Sequence, residues 1–171
     1  MSPGGHLMTA VLAAGAGLVL TGSAPLAAGI VAGGFLIDVD HLADYLIVER
    51  RRELTPAAFL RHYIEGHTRR VVLVLHSYEL CLALAALAWW LDSAWLAGYL
   101  AGGAMHLGLD IVFNGRLTPK NIFAFYSLGF RLAHGFDATT LFGSEPRIAP
   151  AGFWRSFIFG SRLARASRPR G

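Results

Sequence analysis

The feature that most constrains this chain is an apolar stretch from Leu7 to Ile37 that contains no charged side chain. Turn-forming residues interrupt it near the middle. Gly22 can end one helix in the left-handed conformation, Ser23 can cap the next helix, and Pro25 fits a first helical turn. We therefore predict a helical hairpin, with helices at residues 7–20 and 24–37.

Two further apolar runs, Val71–Leu91 and Ala94–Phe113, are separated only by Asp92-Ser93 and predict a second, tight helical hairpin. Aromatic residues gather at this turn, as in an interfacial belt: Trp89, Trp90, Trp95 and Tyr99. Only 15% of the residues are charged, whereas soluble domains carry about 25%. The chain therefore has too little polar surface for a soluble domain of its size.

These patterns predict an all-α integral membrane protein with about four transmembrane or half-spanning helices in two hairpins. A single domain, 1–171, is divided into a first hairpin (1–37), a polar cytoplasmic loop (38–70), a second hairpin (71–113) and an interfacial segment with a basic tail (114–171). The loop includes a short amphipathic helix opened by Thr55-Pro56. The sequence leaves open whether a further membrane span lies near Ile148–Phe159. One kinked span, or a signal peptide cleaved near Ala27-Ala28-Gly29, are alternatives to the first hairpin.

The basic residues predict the orientation of the chain. Six arginines lie in the 38–70 loop, whereas the Asp92-Ser93 turn carries no Lys or Arg. The positive-inside rule places the loop in the cytoplasm and the turn outside, as expected for a multi-pass protein of the bacterial inner membrane. Basic clusters beside apolar segments indicate lipid contact rather than nucleic-acid binding. The single cysteine, Cys81, excludes a disulfide framework and any multi-cysteine zinc knuckle.

Scarce polar residues fall at one end of both predicted hairpins, the open end. His6 and the Asp38-Val39-Asp40-His41 motif meet there, and so do His76, in the first turns of the third predicted helix, and His106 with Asp110. Spacing of i, i+4 places His106 and Asp110 on one helical face, where they can hold a metal ion. Glu79 shares a helical face with His76, and it is either a ligand or a partner of Arg69 or Arg70.

Ionisable groups inside apolar helices are costly and usually mark a functional site. Imidazole and carboxylate ligands without thiolates suit zinc, manganese or iron, and so many of them suit more than one ion. Such ions lower the pKa of bound water and favour hydrolysis of a phosphoester. Arg69, Arg70 and Arg116 are candidates to contact the substrate phosphate.

Five motifs in order resemble those of the YdjM-like inner-membrane metal-dependent hydrolases: Gly5-His6, Asp38-Val39-Asp40-His41, Gly66-His67, His76-Ser77 and His106-x-x-x-Asp110. The resemblance covers about residues 5–113, and it extends distantly to zinc-dependent phospholipase C and P1 nuclease type enzymes. It implies a membrane-embedded helical fold and a metal-binding set: His6, Asp38, Asp40, His41, His76, His106 and Asp110. His67 lies nine positions before His76, so on one continuous helix their side chains would face opposite ways.

The function expected from these residues is metal-dependent hydrolysis of a phosphoester in a lipid or lipid-linked substrate. Asp38, Asp40, His76 and Asp110 are the expected catalytic residues, and more than one divalent ion, zinc first, is the expected cofactor. One rival is a haem protein in which His76 and His106 bind iron and Gly102-Gly103 admit the porphyrin. Another is a non-enzymatic metal transporter or membrane scaffold. The sequence leaves open whether the site also includes His67, Glu79 and His134.

Overall fold

The computed structural model describes residues 1–115, 121–142, 147–148, 150–160 and 162–163. These residues are mainly helical. The long helices are α1 (Pro3–Thr21), α2 (Ala24–Gly34), α5 (Tyr78–Leu91) and α6 (Ala94–Asn114). The short ones are α3 (Val39–Ala43), α4 (Pro56–Ile64), α7 (Ile122–Phe125), α8 (Leu128–Ala133), α9 (Ala138–Leu141) and α10 (Phe153–Phe159). Two strands of two residues, β1 (Arg147–Ile148) and β2 (Arg162–Leu163), pair antiparallel.

The first predicted hairpin is confirmed, together with its turn chemistry. Gly22 ends α1 with φ 65°, in the left-handed region that glycine adopts without a steric penalty. The hydroxyl of Ser23 accepts a hydrogen bond from the amide of Leu26 and so caps α2, with Pro25 in its first turn. Helix α1 begins earlier than predicted, at Pro3, because Ser2 caps it there.

Helix α2 lies along α6 at a distance that only glycine permits. A Cβ atom placed on Gly29 or Gly33 of α2 would collide with the α6 backbone, and one on Gly98 or Gly102 of α6 would collide with α2. Closely packed glycine faces are common between membrane helices, because they allow backbones to approach. This contact joins the two hairpins and brings the end of α2 beside the last turns of α6.

The chain after α2 differs from the polar loop that the sequence predicts. A 3-10 turn (Leu36–Asp38) leads into α3, which continues as a π-helical turn (Asp44–Val48), so that residues 36–48 form one bent helical segment. Its buried face carries carboxylates and its exposed face carries aliphatic side chains. This is the reverse of a helix at the surface of a soluble protein, and it explains why the polar sequence suggested a loop. The predicted short helix opened by Thr55-Pro56 is confirmed as α4, with Thr55 as its cap.

The third apolar run is helical only from Tyr78, whereas the sequence predicts a helix from Val71. Residues 71–77 are extended and irregular, and Leu73 has φ 46°. The hydroxyl of Ser77 accepts a hydrogen bond from the amide of Leu80 and so caps the start of α5. His76 therefore lies before α5, and it does not share a helical face with Glu79. The turn between α5 and α6 is tight, as predicted, with Asp92 in the left-handed region at φ 47°.

Two helices, α1 and α6, are long and apolar enough to cross a membrane. A third span results if α2 and the 36–48 segment, which meet at an angle of 44°, are counted as one. Helix α10 is about 10 Å long at 1.5 Å per residue, too short for the further span that was left open near residues 148–159. It packs instead against α1 and α4.

Candidate metal centre

The open ends of the two hairpins bring together all seven residues that the sequence singles out as metal ligands. His6 comes from the first turn of α1, and His106 with Asp110 from the last turns of α6. The segment after α2 supplies three: Asp38, Asp40 and His41. The extended stretch before α5 supplies His76. Most of these side chains are buried, and those of His76 and His106 are 1% and 0% exposed.

Three acceptor atoms form a small triangle at the centre of the site. His76 Nε2 lies 3.2 Å from His106 Nε2. Asp38 Oδ1 lies 3.4 Å from His76 Nε2 and 3.5 Å from His106 Nε2. These separations are close to the edge of a tetrahedron around a zinc ion, about 3.3 Å for ligands bound at about 2.05 Å.

The hydrogen bonds on the far side of each imidazole fix which nitrogen faces the triangle. The Nδ1 atom of His106 lies 3.0 Å from the carbonyl oxygen of Gly34, which can only accept, so Nδ1 carries the proton. His76 Nδ1 lies 3.4 Å from a carboxylate oxygen of Asp40. In the neutral form both Nε2 atoms would therefore direct lone pairs at each other and at Asp38, an arrangement that a metal ion or a proton among them would stabilise.

His6 and Asp110 extend the site on the α1 side. The His6 ring stacks on that of His106, with centroids 3.8 Å apart. Its Nε2 donates to Asp110 Oδ1 over 3.0 Å, an oxygen that also accepts from the amide group of Asn114 and the amine of Met1. The second oxygen, Asp110 Oδ2, lies 3.5 Å from His106 Nε2.

The potential ligand atoms fall into two neighbouring groups: His6, His106 and Asp110, and Asp38, His41 and His76. Within each group they lie within 4.8 Å of one another. The Nδ1 atoms of His6 and His41 are buried and have no hydrogen-bond partner among the described residues. Buried polar atoms are rarely left unsatisfied in this way. Both groups could therefore hold a metal ion.

Asp40 belongs to a row of carboxylates that positions the chain before α5. Asp40 Oδ2 accepts from the amides of Leu75 and His76, and Asp44 Oδ2 accepts from those of Val72 and Leu73. Most amides of this extended stretch thus donate to side-chain carboxylates instead of to the carbonyl oxygens of a helix. The oxygen of Asp40 that faces His76 is already occupied, so Asp40 orients the imidazole, a common role for a carboxylate behind a metal-bound histidine. Direct ligation by Asp40, as the sequence predicts, has less support.

Arg131 holds the same stretch from the other side, and the sequence analysis missed it. Its side chain is 0% exposed. Nη1 donates to the carbonyl oxygens of His76 and Phe125, and Nη2 donates to that of Leu73. The chain that carries His76 is therefore fixed between an acidic group on its amides and a basic group on its carbonyls. No motif surrounds Arg131, so no sequence signal identifies it.

Charge around His76 favours a cation in the triangle. Burial of the ring opposes its protonation, but the Asp38 and Asp40 carboxylates outweigh that cost and raise the pKa of His76 to about 9. Without an ion, a proton on His76 can thus provide the positive charge among the three acceptor atoms. Any metal ion that binds to Nε2 has to displace that proton.

A cavity of about 600 Å³ opens onto the site. His6, Asp38, His41, His76 and Asp110 are among its lining residues. Its walls are mainly apolar and aromatic: Phe59, Leu60, Phe125, Tyr126, Phe142 and Phe157. No arginine or lysine lines the cavity among the residues that the structure describes. A molecule bound here would place a polar group at the acceptor atoms and an apolar group against the walls.

Other candidates from the sequence lie elsewhere. Glu79 caps α8, because its oxygens accept from the Ser127 hydroxyl and the amides of residues 128 and 129. His67 is 60% exposed beside Glu65, and His134 Nδ1 contacts the carbonyl oxygen of Phe130. Arg69 and Arg70 line a separate surface pocket, so their expected contact with a substrate phosphate has no geometric support. Arg116 lies outside the described residues.

The haem alternative fits the structure poorly. Gly102 packs directly against the backbone of α2, at Ile30 and Gly34. The gap that was expected to admit a porphyrin is therefore filled by α2. The 3.2 Å between His76 Nε2 and His106 Nε2 is also shorter than two iron–nitrogen bonds of about 2 Å placed end to end.

Comparisons with family models, with curated proteins and with solved structures found no match to this chain.

Proposed function

We propose that this protein is a membrane-bound, metal-dependent hydrolase that cleaves a phosphoester in a lipid or lipid-linked substrate. The observation that carries the proposal is the triangle formed by His76 Nε2, His106 Nε2 and Asp38 Oδ1. Its edges of 3.2, 3.4 and 3.5 Å suit a small divalent ion, and zinc is the first candidate because its ligands are nitrogen and oxygen at such separations.

A second ion is supported by the number of acceptor atoms that remain. Beyond the triangle, His41 lies on one side, with Nε2 3.7 Å from Asp38 Oδ1. His6 and Asp110 Oδ2 lie on the other. Asp38 Oδ1 lies 3.4–3.7 Å from the Nε2 atoms of His76, His106 and His41, so its carboxylate could help to hold both ions. Paired ions stabilise the attacking and leaving oxygens of a displacement at phosphorus.

Divalent ions bound here would supply a water molecule of lowered pKa and would neutralise charge on the phosphate oxygens. In the reaction, the water oxygen forms a bond to phosphorus, the P–O bond of the ester breaks, and the leaving alcohol takes up a proton. The residues of the chain hold and orient the reacting groups. His41 lines the cavity beside Asp38 and would help to hold the second ion there.

The shape and lining of the cavity favour a substrate with an apolar part. Aromatic and aliphatic side chains form most of its wall, and the acceptor atoms of the metal centre form one polar part of it. Pockets of this kind bury apolar ligands and orient them through a few polar contacts. With no arginine or lysine among the described lining residues, neutralisation of the phosphate would fall mainly to the ions.

A location in the bacterial inner membrane accords with the outer surface of the molecule. Large apolar side chains are exposed on α1, α5 and α6, among them Leu20, Trp89 and Val112, at 83%, 88% and 75%. Such a surface is stable in lipid and would aggregate in water. The arginines beside the 36–48 segment favour a cytoplasmic position for the site.

Metal analysis and turnover together test the proposal. Protein purified without chelator is expected to contain one to two divalent ions per chain and to hydrolyse a lipid phosphoester in mixed micelles. Removal of the metal with a chelator should abolish turnover, and addition of zinc, manganese or iron should restore it. Metal-free protein after growth with added metal would contradict the site. Bound metal without hydrolysis of any phosphomonoester or phosphodiester tested would contradict the enzymatic proposal alone.

Metal affinity should depend on pH through His76. The pKa of His76 is raised to about 9, so below that pH the metal-free protein carries a proton that the ion must displace. Apparent affinity is therefore expected to rise about tenfold per pH unit from pH 7 to 9, and to level off above. Competition with a metal-binding dye at each pH measures it. A flat profile between pH 7 and 8 would contradict the assignment of Nε2 as a ligand.

A further inference from the structure

Four arginines converge in a surface pocket away from the metal centre. The pocket, of about 480 Å³, is lined by Val48, Glu49, Arg50, Arg51, Arg69 and Arg70, and we call it the arginine pocket. It combines two parts of the chain, the end of the 36–48 segment and the start of the stretch before α5. All four arginines are exposed.

Glu49 holds this pocket together without neutralising it through a guanidinium contact. Its Oε1 accepts from the backbone amides of Arg69 and Arg70, over 2.8 and 2.7 Å. In the described part of the chain, no carboxylate oxygen lies within 4.0 Å of these four guanidinium groups. Four cationic side chains around a common space form a site for an anion, since guanidinium groups bind phosphate in bidentate fashion.

An apolar stripe leads from the arginine pocket along the outer face of the 36–48 segment. Its members recur at helical spacing and are 38–74% exposed: Leu36, Val39, Leu42, Leu46 and Ile47. The opposite face is buried, with Asp40 and Asp44 directed inward. At 1.5 Å per residue the stripe is about 16 Å long, close to the thickness of one leaflet of the hydrocarbon core, about 15 Å.

We propose that the arginine pocket binds the phosphate of an anionic membrane phospholipid, whose acyl chains lie along the apolar stripe. The pocket supplies charge complementarity to the headgroup, and the stripe supplies an apolar surface of matching length. Basic side chains at the cytoplasmic end of an apolar helix attract anionic lipids in this way. This lipid is distinct from the substrate, because the arginine pocket and the cavity of the metal centre share no lining residue.

Titration of the full chain with defined lipids tests this site. In nonionic detergent, native mass spectrometry measures binding of phosphatidylglycerol and of phosphatidylcholine with the same acyl chains. Phosphatidylglycerol is expected to bind at least tenfold more tightly. The double variant Arg50→Gln/Arg51→Gln should lose that preference, whereas Arg61→Gln/Arg155→Gln, which removes the same charge from exposed positions outside the pocket, should keep it. Ile47→Ser should weaken binding of both lipids.

Several results would overturn the proposal. Equal affinity for the two lipids, or equal losses in both double variants, would show that the pocket has no specific role. Displacement of phosphatidylglycerol by millimolar inorganic phosphate would make it a site for small anions instead. Unchanged binding in Ile47→Ser would remove the acyl chains from the stripe. Metal content, measured in parallel, should stay at the wild-type level in Arg50→Gln/Arg51→Gln, which separates this site from the proposed hydrolase.

Discussion

Asparagine in place of Asp38 is expected to lower the affinity for metal by more than a hundredfold and to abolish phosphoester turnover. Asp38 Oδ1 lies 3.4–3.7 Å from the Nε2 atoms of three histidines, so its charge acts at the centre of the site. The amide is isosteric and neutral, and the Asp38 side chain is 30% exposed, so the fold should survive the change. Competition with a metal-binding dye and an assay of the lipid phosphoester measure both effects.

Two further variants serve as comparisons for Asp38→Asn. Asp40→Asn should lower metal affinity by about 10–100-fold, the usual effect of losing a group that orients a ligand. His134→Ala removes a histidine whose ring contacts Phe130, outside the two groups of potential ligands, so metal content and turnover should stay at the wild-type level. If Asp38→Asn retained full metal content, the triangle would not be the metal site. Equal losses in Asp38→Asn and Asp40→Asn would contradict their different assignments.

The helices and turns that local chemistry controls were predictable from the sequence. Gly22 and Ser23 determine the first turn through backbone conformation and capping, and both act within a few residues of their own position. Thr55 caps α4 in the same way, and the short Asp92-Ser93 connection allows only antiparallel helices. Since the hairpins follow from these turns, the convergence of the polar residues at one end was predictable as well.

The stretch before α5 was not predictable, because its conformation depends on distant partners. Residues 71–75 are all aliphatic and continue the pattern of the helix that follows. In the structure, the amides of Val72, Leu73 and Leu75 donate to Asp44 and Asp40 rather than to carbonyl oxygens one helical turn earlier. The 36–48 segment was missed for a related reason. Its inward carboxylates and outward leucines reverse the usual amphipathic pattern, so the polar residues suggested a loop.

Replacement of Arg131 with methionine is the second variant from which we expect a large effect. Arg131 is fully buried and donates to three backbone carbonyl oxygens, those of Leu73, His76 and Phe125. Each would be left without this partner, and an unsatisfied buried group costs about 1–3 kcal/mol. We therefore expect the free energy of unfolding to fall by roughly 3 kcal/mol or more, measured by chemical or thermal unfolding in detergent.

Metal affinity separates a role in positioning His76 from a role in stability alone. Arg131→Lys keeps a positive charge, but its compact ammonium group cannot span the separate carbonyl oxygens that Nη1 and Nη2 of Arg131 reach. Compared with Arg131→Met, this variant is expected to recover part of the free energy of unfolding. Its metal affinity should stay at least tenfold below that of the wild type, because His76 is no longer fixed from its carbonyl side.

Exposed Arg155 provides the control. Arg155→Met should change neither the free energy of unfolding nor the metal affinity. Wild-type metal affinity in a destabilised Arg131→Lys protein would show that Asp40 alone orients the imidazole.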